Sequence, residues 1–150
     1  MIAMLKGLDP LLSPELLSIL RAMGHGDTIA IVDANFPAEA HARRLVRLDG
    51  QTTTRVLDAV LSVLPMDDFE AAAARRMEVV GQPQSELPIF GEFRALLKRH
   101  EPGLADVLSV LDRSAFYAAA REAFAIVATG ETRLYGNILL RKGVIRPTVG

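Results

Sequence analysis

Thr28-Ile29-Ala30-Ile31-Val32 is a short, uninterrupted apolar run rich in β-branched residues, the pattern of a strand buried on both faces. Met23-Gly24-His25-Gly26-Asp27 precedes it and Asp33-Ala34-Asn35-Phe36-Pro37 follows. Each flank sets polar groups against glycine or proline at the rim of an apolar element. A histidine between two glycines has little reason to be core packing. Asp33 marks the point where the strand leaves the core.

Working outward, Ser13-Pro14-Glu15 reads as a helix start, with Ser13 as N-cap and Pro14 at the first helical position. Leu16, Ile19, Leu20 and Met23 recur at helical spacing, and Gly24 stands where a terminal glycine ends a helix. Downstream, residues 43–48 read as a strand closed by Asp49-Gly50, and Thr53 or Thr54 as the cap of a helix ended by Pro65. A weak strand is predicted over 77–80, a helix over 88–100 and a strand over 107–111. Ser114 is the predicted cap of a helix over 115–124, with strands over 125–128 and 138–140 completing the chain. Helices alternating with buried strands predict an α/β fold: a three-layer αβα single domain, 1–150, with a mixed, largely parallel sheet of about six strands.

The composition narrows the function. The chain has 150 residues, half of them hydrophobic and 23% charged, with a net charge of -1. No field of that size draws a protein to nucleic acid or anionic lipid, so neither is expected as a partner. The chain contains no cysteine, which removes disulfides and thiolate catalysis and fits a reducing compartment. No signal peptide and no membrane-length apolar run is legible, so a cytoplasmic protein is expected.

His25 is the strongest chemical candidate, because imidazole exchanges protons near neutrality and flanking glycines leave the ring accessible. The plainer alternative is a surface-loop histidine without a role. Asp33 lies at the carboxyl end of a central strand, where ligands of open α/β sheets bind; alternatively it is a turn aspartate bonded to local backbone. Asp27 has the same alternative and stands close enough in sequence to orient His25. Arg113 offers a fork for a hydroxylated ligand or is an exposed arginine at a strand-to-helix junction. Tyr117 and Tyr135, the two tyrosines, either present hydroxyls to a ligand or cover the core. His25, Asp27, Asp33, His41 and His100 form no recognised metal spacing, so no metal is expected. Gly24-His25-Gly26 follows a helix, which excludes a dinucleotide loop. Arg141, Lys142 and Arg146 are too few for a nucleic-acid patch.

Taken in order, Leu12-Ser13-Pro14-Glu15-Leu16-Leu17, the two flanks of the first strand, Arg113 with Ala115-Phe116-Tyr117, Thr129-Gly130-Glu131 and Tyr135-Gly136-Asn137-Ile138-Leu139-Leu140 resemble the ribose pyranases and L-fucose mutarotases. Gly26 and Gly136 are similar to the fucose branch. The resemblance implies that His25 is the proton donor, that Asp33 and Arg113 bind sugar, and that Tyr135, Gly136 and Asn137 contact its hydroxyls. Asn35 stands where some fucose mutarotases have histidine. The implied reaction interconverts α and β anomers of L-fucose or a related monosaccharide without a cofactor; from the residues themselves, Asp27 and Tyr117 are the candidate auxiliary groups. The alternatives are a ribose pyranase and a non-catalytic sugar-binding accessory of a transport or catabolic system. The resemblance also implies a homo-oligomer, a ring-like decamer in some members, with sites near subunit interfaces. Phe36 and Phe116 are the expected receivers of a sugar methyl group.

The spacing adds one constraint of its own. An extended Thr28–Val32 separates His25 from Asp33 by roughly 15 Å or more at the usual rise per residue. Either the glycine loop folds back, or the two residues serve one sugar from different chains.

Overall fold

A computed structural model describes residues 4–104 and 108–148. Helix α1 (Pro14–Ala22) begins as its sequence dictates: the Ser13 side chain accepts the Leu16 N–H, and Pro14 occupies the first turn. Such a cap contributes about 1 kcal/mol. The helix ends at Met23 in extended backbone rather than at Gly24, because Asp27 Oδ2 already accepts the Gly24 N–H at 2.8 Å. Strand β1 (Thr28–Val32) follows as predicted, then the short α2 (Ala38–His41) and β2 (Leu45–Leu48). Helix α3 (Thr53–Leu61) is capped by Thr52 rather than Thr53 or Thr54. Strand β3 (Ala74–Met77) leads to α4 (Pro88–His100), which matches its predicted bounds, and to β4 (Leu108–Leu111). Val107, placed in that strand by its sequence, lies outside the described residues. Helix α5 (Arg113–Glu122), β5 (Ala125–Thr129) and β6 (Ile138–Arg141) complete the order.

The six strands form one sheet in the order β2-β5-β1-β6-β3-β4. Strand β6 runs antiparallel to both neighbours, and every other pairing is parallel. β1 therefore lies near the middle, hydrogen-bonded on both sides, which is why its apolar run is continuous. Its alternate residues part between two cores: Ile29 and Ile31 pack with α1, α3 and α4, whereas Ala30 and Val32 pack with α2 and α5. The three-layer arrangement and the mixed six-stranded sheet agree with the sequence reading.

The bounds of three elements differ for physical reasons. The third strand covers 74–77, not 77–80, because Arg75 and Arg76 occupy its interior. Arg76 is buried by stacking its guanidinium 3.8 Å from the Phe90 ring centroid while pairing with Glu86. Helix α5 starts two residues earlier than predicted, since Asp112 rather than Ser114 accepts the Ala115 N–H at 2.8 Å. Its C-terminus is Glu122, which leaves Phe124 to stack under Arg44. Strand β2 begins at Leu45, after the exposed pair Arg43-Arg44.

Candidate active site

At the carboxyl end of β1, Asp33 turns inward and is only 5% exposed. Its Oδ1 accepts the Asn35 N–H at 3.0 Å and its Oδ2 the Gly136 N–H at 3.1 Å. Burial pushes the carboxyl above its ordinary pKa, and these amides, with Asn137, oppose that rise. The segment that meets it comes from the opposite direction. Because β6 is antiparallel to β1, the residues just before β6 arrive where β1 ends. Asn137 Oδ1 accepts the Asp33 N–H at 2.8 Å. Tyr135 is held at φ +61°, an uncommon conformation for a side-chain-bearing residue, and its hydroxyl accepts the Val80 N–H at 3.1 Å.

These groups line a cavity of about 330 Å³ with Asn35, Arg113 and Tyr117. Phe36, Met77, Val80 and Leu134 supply its apolar wall. Arg113 is the first residue of α5, exposed, with its guanidinium 5.2 Å from the Tyr117 ring centroid. Phe36, Tyr117 and His41 pack edge-on against one another at 5.0 to 6.0 Å between centroids. Phe116, a predicted methyl receiver, is fully buried in the core beneath α5 and does not line the cavity.

His25 is absent from this cavity. The glycine loop does not fold back: Gly26, at φ +89°, donates its N–H to Lys142 O at 2.9 Å, fixing the loop at the far end of β1. There His25 Nε2 lies 3.1 Å from Asp67 Oδ1, the ring being 41% exposed and the carboxylate 2%. The Phe69 ring covers one side at 4.7 Å. Although burial opposes charge on Asp67, the Phe69 N–H, His25 and Arg141 together hold its pKa below the ordinary carboxylate range. Arg141 approaches Asp67 Oδ2 at 3.5 Å. Asp27 does not orient the imidazole; it closes its own loop onto Gly24.

Sequence reasoning missed Asp67 and Thr53. Asp67 follows the proline that stops the preceding helix, 42 residues from His25, and its one sequence signal is the acidic pair Asp67-Asp68 at that stop. Thr53 is buried in the first turn of α3 and donates its hydroxyl to Gly136 O at 2.7 Å, fixing the peptide between Tyr135 and Asn137. No group of three or more His, Asp or Glu able to hold a metal occurs among the described residues. No helix among them is long and apolar enough to cross a membrane.

Residues 6–145 match the RbsD / FucU transport protein family. The chain is 44% identical to a fucose mutarotase of Homo sapiens over 147 residues, 94% of each chain. It is 38% identical to an L-fucose mutarotase of Glaesserella parasuis over 94% of this chain and 96% of that one. Among solved structures, a fucose mutarotase of Streptococcus pneumoniae in complex with L-fucose superposes with a TM-score of 0.87 at 40% identity, covering 95% of this chain and all of that one. Bacillus subtilis RbsD complexed with D-ribose shares the fold at a TM-score of 0.70 and 20% identity, covering 90% and 95%.

Proposed function

The chain belongs to the RbsD / FucU transport protein family, and we propose that it is an isomerase interconverting the α and β anomers of L-fucose. The observation that carries this reading is the Asp33 cavity, where a buried carboxylate and the Tyr135–Asn137 backbone face an apolar wall of Phe36, Met77, Val80 and Leu134. A deoxy-sugar has that duality, hydroxyls on one side and a methyl group on the other. The likeness to fucose mutarotases along nearly the whole chain supports the same substrate.

Anomer exchange breaks the bond between the anomeric carbon and the ring oxygen. The anomeric hydroxyl gives up its proton and becomes the carbonyl, while the ring oxygen receives one and becomes a hydroxyl. Rotation of the carbonyl and reclosure on its other face reverse both transfers. His25 is assigned the proton donor. With Nε2 occupied by Asp67, Nδ1 is the nitrogen left to face the sugar. Asp33, Arg113, Tyr135, Gly136 and Asn137 hold hydroxyls. Tyr117, whose hydroxyl has no hydrogen bond among the described residues, is the auxiliary group for the second transfer.

Within one chain β1 keeps the imidazole from the Asp33 cavity. The working unit on this reading is a homo-oligomer, a ring-like decamer, in which His25 and Asp67 of one copy complete the Asp33 cavity of another in the cytoplasm. Exposed Phe69 beside His25, and exposed Val80 and Leu134 beside the cavity, are apolar surfaces that such contact covers. Each chain, residues 1–150, acts as one sugar-converting domain. The separation of the two groups also sustains a second reading, a sugar-binding accessory that binds at Asp33 without turnover.

Saturation-transfer NMR decides between them. Accelerated exchange of L-fucose anomers, faster than with D-ribose and lost in His25→Ala, is the expected result. Sugar binding without acceleration supports the accessory.

A further inference from the structure

Arg75 stands in a row of the sheet that is apolar on its β6 side, with Ser109 of β4 opposite it on the other. It lies opposite Leu139 of β6, which lies opposite Ala30 of β1, itself opposite Ile126 of β5. Paired residues on neighbouring strands share a face, here the face that α5 covers with Phe116, Ala120 and Ala123. A guanidinium in that row remains charged, since arginine does not deprotonate in proteins. Yet Arg75 Nε is buried without a hydrogen-bond partner, and no carboxylate pairs with the side chain among the described residues. Burial and the neighbouring charge of Arg141 both act against it. An uncompensated, half-buried charge is a costly arrangement for a fold to retain.

What Arg75 does meet is space. With Arg43 and Arg44 it lines a cavity of about 430 Å³ that Ala119 and Glu122 of α5 and residues Gly26 to Thr28 also border. Both acids in the lining already have partners other than Arg75, one of them Arg43 within the same lining. Glu122 Oε2 accepts from Arg43 at 3.1 Å, and Asp27 Oδ2 accepts the Gly24 N–H. Arg44 donates to Phe124 O at 3.1 Å and stacks on the Phe124 ring, which holds its charge beside the opening. This cavity shares no residue with the Asp33 cavity and lies at the opposite end of the parallel strands.

We propose that the cavity is a binding site for a small oxyanion, with Arg75 as its principal donor and Arg43 and Arg44 as flanking charges. The planar fork of Arg75 matches a phosphate or carboxylate in two-oxygen geometry. Two sources supply that chemistry: a free phosphate-type anion, or a carboxylate side chain of a second copy of this chain.

The test uses the full chain with inorganic phosphate as probe, against chloride at matched ionic strength. Calorimetric titration and thermal melting are read together with mass by light scattering. If the anion is free, phosphate raises the melting temperature saturably. Arg75→Met then lowers phosphate affinity roughly tenfold or more, the loss that follows removal of a charge-assisted hydrogen bond, and Arg75→Lys lowers it less. If the carboxylate comes from a second copy, phosphate has no effect and Arg75→Met instead shifts the oligomeric mass. Wild-type protein indifferent to phosphate, with Arg75→Met and Arg75→Lys both at unchanged mass, overturns the proposal. Should Arg75→Met fail to fold, Arg75→Lys and Arg43→Gln carry the test. Unaltered phosphate affinity and mass in both rejects the site.

Discussion

Asp33 and Asn137, 104 residues apart, close on each other at the end of β1: the Asp33 N–H donates to Asn137 Oδ1 at 2.8 Å. The Asp33 carboxylate is left to organise the neighbouring peptides and to face the cavity. Asp33→Asn keeps the shape but loses the charge and one acceptor. The expected outcome is sugar affinity lowered about tenfold or more, with turnover at saturation reduced less. Titration of L-fucose against both proteins checks it, and unchanged affinity removes Asp33 from the binding role.

His25→Ala removes the imidazole while leaving Asp33, Tyr135 and Asn137 in place. Anomer exchange is expected to fall by roughly 100- to 10,000-fold, the usual contribution of a positioned acid–base group. Binding changes only modestly. Near-normal exchange in the variant rejects the assignment of proton transfer to His25.

Asp67→Asn tests how the ring is held. An amide at this position still contacts Nε2 but lacks the charge of the carboxylate that holds the ring, so anomer exchange is expected to fall about tenfold while L-fucose affinity stays near wild type. Exchange at the wild-type rate shows that the Asp67 contact only packs the loop.

Glu131 gives a stability prediction with a definite sign. Burial alone would raise its pKa, but the Arg133 fork together with the N–H groups of Arg133 and Thr53 hold it below the ordinary value of 4.5. A depressed carboxylate stabilises the fold above its unfolded pKa, and that contribution disappears as pH falls below 4.5 through the folded value. Glu131→Gln is therefore less stable than wild type at neutral pH, with the gap narrowing in acid. Melting temperatures between pH 3 and 7 measure this, and a constant gap contradicts it.

Gly136 has no room for a side chain. A Cβ there meets Glu131 Cγ at 2.9 Å and Ile89 Cδ1 at 3.2 Å. Gly136→Ala is expected to cost about 1–3 kcal/mol, the range of overpacking, and to weaken sugar binding by displacing the amide bonded to Asp33. Denaturant unfolding and fucose titration read the two effects separately.

The elements that a short window of sequence can specify were legible. Thr28–Val32 announces itself by continuous β-branching, and Pro88–His100 by a proline start and spaced aromatics. β3 was misplaced because its buried arginine, Arg76, is paid for by Phe90 and Glu86, partners that only the folded chain supplies. Asp33 and the Tyr135 segment were readable as loop chemistry at strand ends. The Asp67–His25 contact was not, since the backbone bond from Asp67 N to Arg141 O that places it depends on the return path of β6.

That return path has a consequence for how the sequence can vary. Strand β6 is four residues long, and its two ends abut the two chemical regions: Asn137 precedes it at Asp33, and Lys142 follows it at the His25 loop, accepting from Gly26 and donating to Asp27 O. It is a ruler with a mark at each end. Losing or gaining one residue inside it would move one mark off Asp33 or the other off the glycine loop, and would also turn every side chain to the wrong core. Length changes belong instead in residues 83–85, where the chain turns at the surface beyond the cavity, so β6 is the segment of this protein that tolerates substitution but not miscounting.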